Sequence, residues 1–188
     1  MSPYFYAVDD ALPAGEFAML REYCQLLKYH DRVGPDGATY QGISDEVPET
    51  IVEQMTCLLS WLVGYRAVIK ICAFRLSVLG TVPPQWAHSD MEVARYASFL
   101  YINPGMGGTA LLKHKETGLF THPKDEYELT ILHRDQNDME KWAVTSKVDC
   151  APNRALVIRS GLIHAALPFH GFGSGPADGR LILWTFFD

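Results

Sequence analysis

The sequence predicts an α+β fold that is mainly β, with helices first and a run of strands after them. Three observations carry that expectation. Before Tyr65, two segments repeat apolar residues at spacings of three and four. From Val68 onward, short β-branched and aromatic runs are bounded by Pro, Gly and Asn. Aromatic residues make up 12% of the chain, with nine Tyr and nine Phe, which suits a β core. Helices followed by strands favour an antiparallel sheet folded into a sandwich or barrel.

The 188 residues, 48% hydrophobic and 20% charged, suit a single domain over 1–188 with a sizeable core. Residues 1–67 are expected to give helical support and a lid, and residues 68–188 the β core.

Residues 4–8 (YFYAV) read as a short strand. From Ala14 to Lys28, Phe17, Leu20, Cys24 and Leu27 mark an amphipathic helix, with His30 as a favourable cation at its end. Residues 31–47, rich in Gly, Asp and Pro, read as a loop lying over a site. In that loop, Tyr40 and Gln41 are placed to close on a substrate. Pro48 to Val63 reads as a second helix, with Glu49 and Glu53 near its positive end and Gly64 as its stop. Its buried stripe is Ile51, Met55, Leu58 and Leu62. Strands follow at 68–79, 93–103 and, past Gly107 and Gly108, at 109–112. Residues 113–143 are polar and read as an irregular excursion, with His114, His122 and His133 at its surface. Strands resume at 144–148, 154–159, 162–167 and 180–187.

Several function classes fall away. A net charge of −6 and a pI near 5.6 speak against nucleic acid as a partner. No apolar run is long enough to cross a membrane, and the first residues lack the basic start of a signal peptide. The four cysteines form no CxxC pair and read as reduced thiols, with Cys24 and Cys57 on apolar helical faces, in a cytoplasmic protein. Neither a GxGxxG nor a GxxxxGK[ST] phosphate loop is present.

The chemistry concentrates in a few residues. His88 and Asp90 stand two apart, so in an extended segment both point to one face. His164, after an apolar strand, is the best third ligand, and His170 is its rival. Two His and one carboxylate leave open positions on a metal, the pattern of the facial triad. Arg180 opens an apolar strand and needs a partner, and a guanidinium suits a carboxylate. Arg95, Tyr40 and Trp184 are candidate substrate contacts. Each also has a plain reading, as a solvated cation, a packed loop aromatic and a core aromatic.

In order, these pieces resemble the 2-oxoglutarate and Fe(II)-dependent dioxygenases, especially the prolyl-4-hydroxylase-like branch. The matching residues are His88-Ser-Asp90, Arg95, Tyr101-Ile-Asn103, Gly107-Gly108-Thr109, His164 with Pro168, and Arg180. The likeness runs from about residue 72 to 188. It implies a double-stranded β-helix, or jelly roll, in which His88, Asp90 and His164 bind iron. It also implies that Arg180, helped by Tyr101, binds the far carboxylate of 2-oxoglutarate. The implied reaction consumes O2, releases succinate and CO2, and hydroxylates an unactivated C–H of a small molecule or protein side chain. Ascorbate is an implied supporting reductant. The stretch from His164 to Arg180 is longer than the family's usual one, and His170 stands at the usual spacing. A cupin-like metal protein without 2-oxoglutarate and a non-catalytic jelly-roll binding module stay open as alternatives.

Overall fold

A computed structural model describes residues 5–34 and 37–188. In chain order the elements are β1 (Phe5–Val8), α1 (Ala14–Leu26), β2 (His30–Val33), β3 (Thr39–Ser44), α2 (Glu49–Val63), β4 (Ile69–Ser77) and β5 (Tyr96–Tyr101). They continue as β6 (Gly108–His114), α3 (Glu126–Asp135), a 3-10 turn (Met139–Lys141), β7 (Trp142–Asp149), β8 (Ala155–Arg159), β9 (His164–Leu167) and β10 (Arg180–Phe187). Tyr4, expected in the first strand, lies outside the described residues.

Two antiparallel sheets form the body. The larger has the order β1-β8-β5-β10-β4-β3-β2, and the smaller β7-β6-β9. The central strand β10 (RLILWTFF) is largely apolar, Arg180 and Thr185 apart, because both its faces are covered. Leu181, Leu183 and Phe187 pack against the layer of α1 and α2, through Leu20, Cys24, Ile51, Met55 and Leu59. Ile182 and Phe186 face inward with Phe99, Tyr101, Leu111 and Leu156, joining the sheets. On the outer face of the smaller sheet, Ala110, Leu112 and Ala165 pack with Leu132 of α3 and with Trp142.

Both early helices form where expected, with small differences. The first ends at Leu26 with only Leu20 and Cys24 fully buried. In the second the buried residues are Ile51, Met55 and Leu59, while Leu58 and Leu62 pack partly buried beside them. Gly64 stops it with φ 80°, and its N–H donates to the Ser60 carbonyl.

The described residues within 31–47 do not form the expected loop. They hold most of the hairpin β2–β3, which extends the large sheet past β4 through Ile43↔Arg75 and Ser44↔Phe74. β2 lies at the sheet edge with every residue exposed, so it carries no apolar alternation to read. His30 begins this strand and does not end a helix. At Gly42 the φ is 70°, and a Cβ would sit 2.0 Å from the Leu76 carbonyl oxygen.

The excursion at 113–143 is ordered in the same way. The Asp125 side chain accepts from the Glu128 N–H at 2.9 Å, and Glu128 Oε2 accepts from the Lys124 N–H at 2.8 Å. Together they start α3 in the manner of a capping box. His114 is buried, not at the surface. Its Nε2 meets Asp135 Oδ2 at 3.0 Å, and Arg134 holds the same carboxylate with Nε and Nη2. His122 is half-buried, and His133 is exposed. Cys57, expected buried, is exposed, whereas Cys24 and Cys150 are buried, and all four thiols are free.

Candidate metal centre and its cleft

His88 and Asp90 lie in the connection between β4 and β5, and His164 opens β9. The backbone brings these segments together. His88 N donates to the His164 carbonyl at 3.1 Å, and His164 N donates to the His88 carbonyl at 2.9 Å. Two residues on, Asp90 N donates to the Ser160 carbonyl at 2.8 Å. The side chains converge accordingly. His88 Nε2 is 3.8 Å from Asp90 Oδ1, and His164 Nε2 is 3.2 Å from Asp90 Oδ2.

This donor set fits Fe(II). One ligand atom from each residue falls within 4.8 Å of the others. Ligands ~2.1 Å from a shared ion stand ~3 Å apart when they occupy one face. Each imidazole also has its second nitrogen occupied. His88 Nδ1 faces the Trp86 carbonyl at 3.0 Å, and His164 Nδ1 faces the Leu162 carbonyl at 2.9 Å. Donation from Nδ1 leaves the Nε2 lone pair directed at the cluster.

The electrostatics agree. Burial, reinforced by His164, lowers the His88 pKa to about 4, so this ring is neutral near pH 7. Burial would raise Asp90, but His88, His164 and Arg75 together hold its carboxyl below the usual value. Burial would lower His164, but its hydrogen bond to Asp90 and that carboxylate's charge raise it. A divalent ion between these groups supplies the same compensation as a shared proton.

A cleft opens beside His88, lined also by Arg75, Ser77, Trp86, Phe169 and Arg180. Arg180 opens β10, is 3% exposed, and donates from Nη2 to the Gly108 carbonyl at 3.3 Å. Its buried Nε has no hydrogen-bond partner among the described residues. That acceptor sits where only glycine fits. A Cβ at Gly107 would lie 2.1 Å from the Leu167 carbonyl oxygen, and one at Gly108 1.9 Å from that of Val148. Tyr101 is fully buried next to Arg180, with the guanidinium 5.9 Å from its ring, and its hydroxyl bonds Thr109 Oγ1 at 2.8 Å.

The other expected residues are placed differently. His170 is exposed and meets the edge of Trp86, 5.5 Å between centroids, away from the cluster. Tyr40 belongs to β3, not to a loop, and its ring stands 6.3 Å from that of Trp184. Trp184 shares the inward face of β10 with Arg180, as alternation along a strand requires. The Arg95 side chain is exposed and does not line the cleft. Its backbone is what reaches the site: its carbonyl accepts from Ser160 N at 3.0 Å, and Ser160 in turn holds Asp90.

Arg75 was not singled out from the sequence. It faces inward from β4, with its guanidinium 5.6 Å from the Tyr40 ring and 5.8 Å from the Trp184 ring. Burial and the neighbouring Arg180 lower its pKa to about 10, so it remains a cation near neutrality. The signal was available, since an Arg inside the apolar run VIKICAFRLSVL raises the same question as Arg180 in RLILWTFF. Ser89, between the two ligands, is also pinned, with its Oγ 2.8 Å from His122 Nδ1.

No protein-family model matches the chain. No curated protein matches it at the level of sequence. Solved structures do match in fold. The non-heme alpha ketoglutarate dependent epimerase SnoN from nogalamycin biosynthesis superposes with a TM-score of 0.62 at 11% identity, covering 99% of this chain and 76% of that one. EctD from S. alaskensis, solved with 2-oxoglutarate and 5-hydroxyectoine, gives 0.56 at 12%, covering 100% and 72%. A 2OG-Fe(II) oxygenase family oxidoreductase from Burkholderia pseudomallei gives 0.56 at 15%, covering 98% and 85%. SnoN has also been solved with Fe3+ and alpha ketoglutarate, and EctD with bound Fe. The chain therefore has the fold of the 2-oxoglutarate and Fe(II)-dependent oxygenases, and it carries a His-Asp-His group of the facial-triad type.

Proposed function

We propose that this protein is a non-haem Fe(II), 2-oxoglutarate-dependent oxygenase. On this reading the two sheets form a double-stranded β-helix, and the enzyme hydroxylates an unactivated C–H of a small molecule. Succinate and CO2 are released. The observation that carries the reading is the His88–Asp90–His164 cluster opening onto a cleft that also holds the unpaired cation Arg180. The motif order of the prolyl-4-hydroxylase-like branch supports hydroxylation. The epimerase described for SnoN shows that this fold also hosts other outcomes.

Bound Fe(II) with 2-oxoglutarate and O2 supplies the oxidising chemistry, and the protein supplies placement. His88, Asp90 and His164 are the residues that would hold the ion. The Trp86 and Leu162 carbonyls keep both rings in the metal-binding tautomer. Arg180, with a free buried Nε and its Nη2 tied to the Gly108 carbonyl, would receive the cosubstrate's far carboxylate. Tyr101, held by Thr109, supports that end. Trp86 and Phe169, stacked with centroids 4.9 Å apart, shield one wall from water.

The test is an anaerobic titration of Fe(II)-loaded protein with 2-oxoglutarate, followed by visible absorption. A weak metal-to-ligand charge-transfer band that saturates with cosubstrate is expected, and its absence overturns the proposal. Succinate release on admitting O2 then provides the readout for a substrate screen.

A further inference from the structure

The cleft holds two cations, and the cosubstrate accounts for only part of their charge. Among the described residues lining it there is no Asp or Glu. Arg75 has no ion pair with any described residue, and its buried Nε has no hydrogen-bond partner. Desolvating a guanidinium without an anion is costly, so a site that keeps one is built to meet an anion. Asp90 offsets one charge of a divalent ion, and dianionic 2-oxoglutarate offsets two further positive charges. One cation is left uncompensated.

Position says which one. Arg180 lies at the buried end, tied to Gly108. Arg75 lies one strand over on β4, where its charge is felt by both Asp90 and His88. Tyr40 and Trp184 flank its guanidinium. Two aromatic neighbours hold such a plane in place while leaving its N–H edge free for a ligand. The stacked Trp86 and Phe169 give the cleft an aromatic wall as well.

We infer that the oxidised substrate is a small carboxylic acid with an apolar body, its carboxylate held by Arg75 and its body lying against Trp86 and Phe169. The inference rests on the oxygenase reading above. Arg75 is then the residue that sets substrate class, and Tyr40 and Trp184 are positioning residues that act through it.

The test uses the Mn(II)-loaded protein with N-oxalylglycine in place of 2-oxoglutarate. Phenylacetate, cinnamate and indole-3-acetate are titrated beside their methyl esters by calorimetry. At least one acid is expected to bind about tenfold or more tightly than its ester. Arg75→Met should abolish that preference, and Arg75→Lys should keep part of it. N-oxalylglycine binding to Arg75→Met should change less than about threefold. Thermal melts of both variants confirm that they are folded. Equal binding of acids and esters, or no acid binding at millimolar concentration, overturns the inference. So does a loss of N-oxalylglycine affinity in Arg75→Met matching that in Arg180→Met, because Arg75 would then serve the cosubstrate. Failure of the oxygenase reading shows separately, as a missing charge-transfer band in the unmodified Fe(II) protein.

Discussion

His88 and His164 exchange both of their backbone hydrogen bonds, at 3.1 and 2.9 Å, and their rings stand 4.4 Å apart between centroids. The candidate ligand pair is therefore joined by a β-bridge through its backbone. A connection of the large sheet and a strand of the small one meet there, so the cluster exists only when the sheets have closed. A metal ion bound there would stabilise the folded chain by mass action.

Replacing a ligand should remove function without unfolding the chain. His164→Ala or Asp90→Ala is expected to lower succinate formation by more than about 100-fold, given that even outer partners of metal ligands cost 10–100-fold. The Fe(II)–2-oxoglutarate absorption band should vanish with it. His170→Ala, outside the cluster, should retain the band. A retained band in His164→Ala would remove that residue from the ligand set.

Arg180 should govern cosubstrate use. A hydrogen bond to a charged group contributes about 1.5–3 kcal/mol. Arg180→Met is accordingly expected to raise the 2-oxoglutarate requirement about 10- to 100-fold, with metal content unchanged. An unchanged cosubstrate titration would exclude the role.

The buried His114–Asp135 pair predicts an acid-sensitive contribution to stability. The Arg134 guanidinium, with help from His114 and against the effect of burial, lowers Asp135 from 3.8 to about 2. The unfolded chain thus binds the proton more readily than the folded one. The contribution is complete above the unfolded value and is lost as pH falls towards 2. Melting temperature measured from pH 6 down to pH 2 should fall less steeply in Asp135→Asn than in the parent. Parallel curves would disprove the linkage.

Gly42→Ala tests the hairpin. The added methyl would press on the Leu76 carbonyl oxygen, and φ is 70°. Backbone strain of this kind costs about 2 kcal/mol. Urea unfolding should register that loss. Because Tyr40 rides on β3, Arg75 should also lose an aromatic neighbour, seen as a changed Trp184 fluorescence.

The legible parts of the chain were those with local, two-sided signals. β10 was readable because Gly179 precedes a run that is apolar apart from Arg180 and Thr185, and it forms over the expected 180–187. His88 and Asp90 were readable as a spaced pair. His164 stood out as a histidine after an apolar strand, and the structure sets it, not His170, beside them. β2 was not readable, because its pairing with β3 depends on a sheet edge supplied by β4 and every β2 residue faces water. α3 did carry a local signal at Asp125 and Glu128, hidden within a polar segment. Arg75 was missed because its meaning depends on Tyr40 and Trp184, which only the folded sheet places around it.

The Gly107–Gly108 junction, whose Gly108 carbonyl accepts from Arg180, sets that residue's surroundings apart from those of Arg75. At the Arg180 end, the acceptor is main chain and the neighbouring positions admit no side chain, so substitution has almost nothing to work with. Around Arg75, by contrast, the neighbours Tyr40 and Trp184 make contact through replaceable side chains. Redesign, whether by selection or at the bench, is therefore confined to one wall. If the proposed oxygenase reading holds, libraries at Tyr40, Arg75 and Trp184 should change what is oxidised while the 2-oxoglutarate requirement stays constant.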